Sequence, residues 1–217
     1  GYWWKGSAFT SFNGITPSAA VNSQNAAIAA LLKTGATALS PPAWCKSNEG
    51  AVAVAKTTLG TGRFALEPNK PDALRISPRM DGATVDLAIG LTDEMRLGQG
   101  EAIDLLSVSL SATDYVGHAT GTEGLEMCIQ IAELDRHIGR LLAHLDAKGI
   151  DYAVVLSADH GGLDMPERLD EQALPRAARV DLSLVPQVLS KTISAKTGIV
   201  PAQGPLLMSE SGDFYIN

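Results

Sequence analysis

The chain has 217 residues, 45% of them hydrophobic and 19% charged, and a formal net charge of −7. That describes a globular chain long enough to bury one sizeable core. The acid excess and the lack of any basic stripe exclude a nucleic-acid duplex or an anionic membrane as the main partner. No apolar run approaches the roughly eighteen residues of a membrane span. Gly1 does not open a signal peptide, although a mature secreted protein would lack one too.

The opening GYWWKGSAFTSFNG is aromatic and glycine-rich with weak alternation, and reads as an irregular strand and turn packed on the core. Residues 17–39 read as a helix opened by Pro17 and Ser18, carrying Ile28, Leu31 and Leu32, and closed near Gly35. Residues 40–82 are punctuated by Pro41, Pro42, Gly60, Gly62, Pro68, Pro71 and Pro78, so they read as an insertion or lid. Within them GTGRF lacks the Lys-Ser/Thr of a phosphate-binding loop and reads as a turn. Arg63, Arg75 and Arg79 are the arginines that could meet a substrate phosphate, though surface roles are commoner. A helix is expected over 82–98, ended by Gly98 and Gly100.

Residues 103–110, an apolar run with small residues between, read as a buried parallel strand. A polar loop with Asp114 and His118 follows; four residues apart, the two share a face if the loop takes a helical turn. Thr122–Lys148 then gives a strong helix, its apolar stripe running from Leu125 through Cys128, Ile131 and Ile138 to Leu145. His137 and His144 on it read as solvated. Residues 152–157, YAVVLS, read as a second strand, followed at once by Ala158-Asp159-His160-Gly161-Gly162. The glycine pair supplies the turn that lets Asp159 and His160 converge.

A strand–helix–strand unit is normally right-handed, so both strands run parallel and both loops emerge on one sheet edge, where open α/β folds bind ligands. Two Asp/His pairs at that edge suit zinc or another borderline divalent ion. Asp164 is a candidate acceptor behind a ligand histidine. The stretch Asp164–Arg179, with Pro166 and Pro175, reads as a charged loop. Asp181 reads as the cap of a helix over 182–197, and Gly212–Asn217 as the start of a strand. Cys45 and Cys128 are the two cysteines; the reading favours free thiols, since a disulfide would require an oxidising compartment.

TDYVGH at Thr113–His118 and SADHGG at Ser157–Gly162 resemble the alkaline phosphatase superfamily, in its phosphodiesterase/nucleotide pyrophosphatase-like branch with the periplasmic-type alkaline phosphatases. The opening GYWWKGSAFTSF resembles the segment after the substrate-binding loop of those phosphatases. The resemblance implies an alkaline phosphatase-like α/β fold, a mainly parallel sheet flanked by helices, spread over 1–217 with the insertion at about 40–82. It implies two zinc ions, with Asp114 and His118 ligating one and Asp159 and His160 the other. The substrate would be a small-molecule phosphate ester, the protein periplasmic or secreted and a monomer.

Each zinc wants three protein ligands and an open position, so four residues leave both sites short. The resemblance places the Thr or Ser nucleophile, one early Asp and the phosphate-binding Lys and Arg upstream of GYWW. It places a further His downstream, and no histidine follows His160. Thr10, Ser11 and Thr113 are not assigned as nucleophile. The chain is thus expected to be the middle of a larger phosphate monoester hydrolase, inactive alone and with exposed sheet edges. The alternatives are a phosphodiesterase/nucleotide pyrophosphatase of the same superfamily, a sulfatase, or a non-catalytic metal-binding α/β domain.

Overall fold

Ser18 starts the first helix, α1 (Ala19–Thr34), with an extended backbone and an Oγ that accepts the Val21 N–H at 3.5 Å. The Glu94 carboxylate accepts the Ala19 and Ala20 N–H groups at 3.2 and 2.8 Å. It thereby satisfies two more donors of the first turn. The structure, a computed structural model, describes residues 1–173, 176–210 and 213–216. Pro175, Gly212 and Asn217 lie outside the described residues. The chain divides into two units, Gly1–Arg168 and Leu169–Asn217.

In the first unit, β1 (Trp3–Lys5) and β2 (Ala8–Thr10) make an antiparallel hairpin, with Trp4 opposite Phe9 and their rings edge-on. Residues 40–82 hold a 3-10 turn (Ala43–Asn48), the hairpin β3 (Val52–Val54) and β4 (Thr57–Leu59), and the short helix α2 (Pro71–Arg75). The next helix, α3 (Pro78–Met95), starts earlier than its apolar periodicity suggests, because Pro78 suits a first helical position. It ends at Arg96, a left-handed residue, before either glycine. The expected loop at 111–121 is a helix, α4 (Ala112–Thr120), and the long helix α5 spans Leu125–Ala147. The charged stretch after Asp164, expected as a loop, contains α6 (Pro166–Glu171), again with proline at its start.

The second unit holds a 3-10 turn (Leu182–Leu184), α7 (Pro186–Thr197), and an antiparallel hairpin of β5 (Leu207–Glu210) and β6 (Asp213–Ile216). Asp181 does cap, but its Oδ1 accepts the Ser183 N–H at 2.7 Å and so serves the 3-10 turn rather than α7. The buried Ser190 hydroxyl accepts the Leu207 N–H at 2.8 Å and donates to the Leu207 carbonyl at 3.2 Å, fastening α7 to β5.

The two expected parallel strands do not form among the described residues: 103–110 and 152–157 carry no regular secondary structure, and the sheets are two-stranded and antiparallel. A strand exists only where a neighbour satisfies its backbone groups and covers its side chains. Neither condition is met here: Ile103, Leu105 and Val155 are 101%, 91% and 93% exposed.

The core of the first unit forms where α1 lies on α3 under the β1–β2 hairpin, through Val21, Ile28, Leu32, Met80, Leu87 and Phe9. A smaller cluster joins Leu125 and Ile129 of α5 to Leu39 and Phe64 around Cys45 and Cys128. These two cysteines form a disulfide, correcting the free-thiol reading. They are 83 residues apart in sequence, so the bond depends on the 3-10 turn at 43–48 docking on α5, which no local pattern reveals. His137 also departs from expectation. It is buried against α3, where a Cβ on Gly82 would lie 2.6 Å from its ring. Desolvation lowers its pKa, helped by Arg136 and Arg140. His144 pairs with Asp93 at 2.9 Å, as does Lys148.

Candidate metal centre

The helix α4 begins where buried Asp81 of α3 places a carboxylate against it. Asp81 Oδ1 accepts the Ala112 N–H at 3.0 Å, and Oδ2 accepts from the Gln130 side chain at 2.8 Å. Gln130 also donates to Thr113 Oγ1 at 3.1 Å. Burial pushes the Asp81 carboxyl up to about 6, against the opposing pull of these two bonds. Neither Asp81 nor Gln130 is singled out by a motif or spacing in the sequence. Both are recognisable in hindsight only from their burial.

Asp114 lies in the first turn of α4 and His118 one turn on, which turns both to one face. His118 Nε2 stands 3.3 Å from Asp114 Oδ1. The loop after residue 157 brings His160 Nε2 to 3.5 Å from the same Asp114 oxygen and 3.7 Å from Asp159 Oδ2. The His118 and His160 rings are 6.5 Å apart. The structure therefore brings Asp114, His118 and His160 together, with Asp114 between the two histidines rather than confined to one pair, while Asp159 meets its sequence neighbour His160. All four are exposed or nearly so, with side-chain exposures of 41% for Asp114 and 88% for Asp159.

Ring orientation bears on what this cluster can bind. His160 Nδ1 faces the Gly161 carbonyl at 2.8 Å and must donate to it, so Nε2 carries the lone pair and faces the carboxylates. That bond, with the nearby Asp159 and Asp114, raises the His160 pKa, so a proton and a cation would compete for Nε2. Two ligands of one tetrahedral zinc at ordinary bond lengths stand about 3.3 Å apart. The Asp114–His118 and Asp114–His160 separations fit that edge pair by pair. Among the described residues, however, no three of His, Cys, Asp and Glu converge into a group able to hold an ion.

The other candidates are engaged elsewhere. Arg79 donates to the Thr37 and Phe64 carbonyls, Arg63 pairs with Glu49, and Arg75 lies over the Tyr115 ring, 4.0 Å from its centroid, and donates to the Tyr115 hydroxyl. Ser11 Oγ donates to the Gly1 carbonyl and Thr113 accepts from Gln130, so neither hydroxyl is directed at the cluster. Asp164 bonds the Thr122 and Glu123 N–H groups and Arg168 rather than a ligand histidine.

The chain belongs to the type I phosphodiesterase / nucleotide pyrophosphatase family, which it matches over residues 2–190. It is similar to the alkaline phosphatase PhoK of a Sphingomonas species, with 41% identity covering 98% of this chain and 38% of that protein. It is also similar to the alkaline phosphatase PhoD of Zymomonas mobilis, with 43% identity covering 81% of this chain and 31% of that one. The crystal structure of wild-type alkaline phosphatase PafA superposes with a TM-score of 0.69 at 23% identity, covering 91% of this chain and 40% of that one. The fold is accordingly alkaline phosphatase-like α/β. The chain spans about two-fifths or less of the length of these relatives.

Proposed function

We propose that this chain contributes Asp114, His118, Asp159 and His160 to the two-zinc centre of a phosphate monoester hydrolase. The observation that carries the proposal is the convergence of both imidazole Nε2 atoms on one Asp114 oxygen, at 3.3 and 3.5 Å. Asp114 and His118 serve one ion, Asp159 and His160 the other. Zinc held by these residues would supply Lewis acidity toward a hydroxyl nucleophile and the phosphoryl oxygens. Its charge would also offset the acid excess of the chain toward a phosphate ester. The residues of this chain bind and orient; no Thr or Ser in it is assigned as nucleophile, so the isolated 217 residues are expected to be inactive.

The same reading puts 103–110 and 152–157 side by side as parallel strands when neighbours cover them, with 40–82 as an insertion. It makes the protein a periplasmic or secreted monomer. The Cys45–Cys128 disulfide supports an oxidising compartment, and no described helix is long and apolar enough to cross a membrane. A second reading, a phosphodiesterase/nucleotide pyrophosphatase, is favoured by the family match itself.

The test is zinc content by elemental analysis with hydrolysis of p-nitrophenyl phosphate and of bis-p-nitrophenyl phosphate. The 217-residue chain should take up zinc only weakly, through its two-ligand half sites, and lose that uptake in His160→Ala and Asp114→Ala, with turnover at background. Monoester hydrolysis by this chain that Asp159→Ala abolishes would overturn the placement of the nucleophile outside it. A preference for the diester, in protein supplied with the remaining parts of the site, would select the second reading.

A further inference from the structure

Four exposed side chains cannot hold two loops in register by themselves, because exposed ion pairs contribute little and are screened by solvent. Something buried must fix the distance between α4, with Asp114 and His118, and the loop with Asp159 and His160. We propose that Asp164 and Arg168 are the positioning residues that do so; this rests on the metal-centre reading above.

Asp164 follows His160 by four residues, yet its carboxylate is spent on the segment that leaves α4. Its Oδ1 accepts the Thr122 N–H at 2.7 Å and the Glu123 N–H at 3.3 Å. Arg168 Nη1 donates to both Asp164 oxygens at 2.6 and 2.7 Å, and Nη2 reaches the Thr120 carbonyl at 3.5 Å. One carboxylate–guanidinium pair therefore grips the end of α4 and the chain just beyond the second motif together. The pair is buried, with side-chain exposures of 1% for Asp164 and 10% for Arg168, and a charge-assisted contact of this geometry is among the stronger ones.

The surrounding backbone is shaped to admit it. A Cβ on Gly121 would lie 2.3 Å from Asp164 Oδ1, and one on Gly124 would lie 2.5 Å from Arg168 Nη2. Gly121 also has φ +81°, a conformation that favours glycine. A Cβ on Gly162, inside the second motif, would stand 3.0 Å from Thr122 Cγ2, so the two loops touch directly beside the clamp. The separation held by this contact is the 3.5 Å between His160 Nε2 and Asp114 Oδ1. A cation that must be shared or flanked by those atoms gains from having that distance set before it arrives.

The experiment is zinc titration of the 217-residue chain against a chromophoric chelator, well below the melting temperature. Asp164→Asn and Arg168→Lys are compared with wild type, with His160→Ala and with Ile28→Ala, a core variant remote from the clamp. Asp164→Asn and Arg168→Lys should each weaken zinc binding about tenfold or more, and hydrogen exchange at the Thr122 and Glu123 amides should quicken. Ile28→Ala should lower the melting temperature without changing zinc affinity. If Asp164→Asn does not fold, Arg168→Lys carries the test, since it keeps a cation beside Asp164 and removes only the fork. Zinc uptake that His160→Ala abolishes but both clamp variants leave unchanged overturns the clamp alone. Equal weakening by Ile28→Ala overturns it too, because general stability then explains the effect. Uptake indifferent to His160→Ala overturns the metal-centre reading and the clamp with it.

Discussion

A Cys45→Ala/Cys128→Ala double variant is expected to unfold about 2–4 kcal/mol more easily than the oxidised protein, melting roughly 5–15 °C lower. The magnitude follows from the 83-residue separation of the bridged positions, because cross-linking so long a loop removes much freedom from the unfolded chain. The folded state loses little beyond the bond itself: Cys45 and Cys128 sit in an apolar cluster with Leu125 and Ile129, where reduced thiols pack as small hydrophobes. Dithiothreitol should reproduce the fall in wild type and do nothing to the double variant. A melting temperature unmoved by reduction would mean that the bridge is not made. Glu126 should limit the structural consequence, since its Oε1 accepts the Gly60 and Gly62 N–H groups at 2.9 and 2.8 Å and holds that loop to α5 independently.

The second large effect concerns Asp81. Its carboxyl titrates at about 6 in the folded protein, against 3.8 ordinarily. Between these values the folded chain keeps a proton that the unfolded chain has released, so stability falls as pH rises. The contribution is whole below about pH 4 and is lost as pH passes through 6. By pH 8 it has changed by on the order of 3 kcal/mol. Asp81→Asn should erase this dependence. Its Oδ1 still accepts from Ala112, and a rotated Gln130 amide can turn Oε1, which lacks a partner among the described residues, toward the new amide. The measurement is chemical denaturation of both proteins at several pH values. Taking the difference cancels other carboxylates such as Asp93, held low by Lys148 and His144. Wild type and Asp81→Asn should differ most above pH 7, with the variant the more stable. A difference that stays flat from pH 4 to 8 would remove Asp81 as the titrating group. Asp81→Ala should instead lose stability at every pH, because it leaves the Ala112 N–H and the Gln130 amide buried without that partner.

Much of the candidate site was legible because its residues lie close together in the chain. Asp114 and His118 are one helical turn apart, and Asp159 and His160 are adjacent beside two glycines, so short-range geometry already pointed each pair at one place. The helices α1 and α5 were readable for the same reason: caps and apolar spacing are local properties. The strands over 103–110 and 152–157 were not decided that way, since their apolar composition states only what they would bury, not whether a neighbour is there to bury it.

What the amino-acid sequence by itself determined was therefore the helices α1, α3, α5 and α7, the family motifs and the four candidate ligands. The tertiary structure alone decided that Asp114 stands between both histidines, that Cys45 meets Cys128, and that His137 is buried. It also decided that Asp81 and Gln130 bond the start of α4 and that Asp164 and Arg168 bond its end and the segment that follows. The physical reason is common to all of these. Each depends on contacts between residues far apart in the chain, and burial and partnership at such contacts come from how helices and loops pack, which no spacing along the sequence encodes.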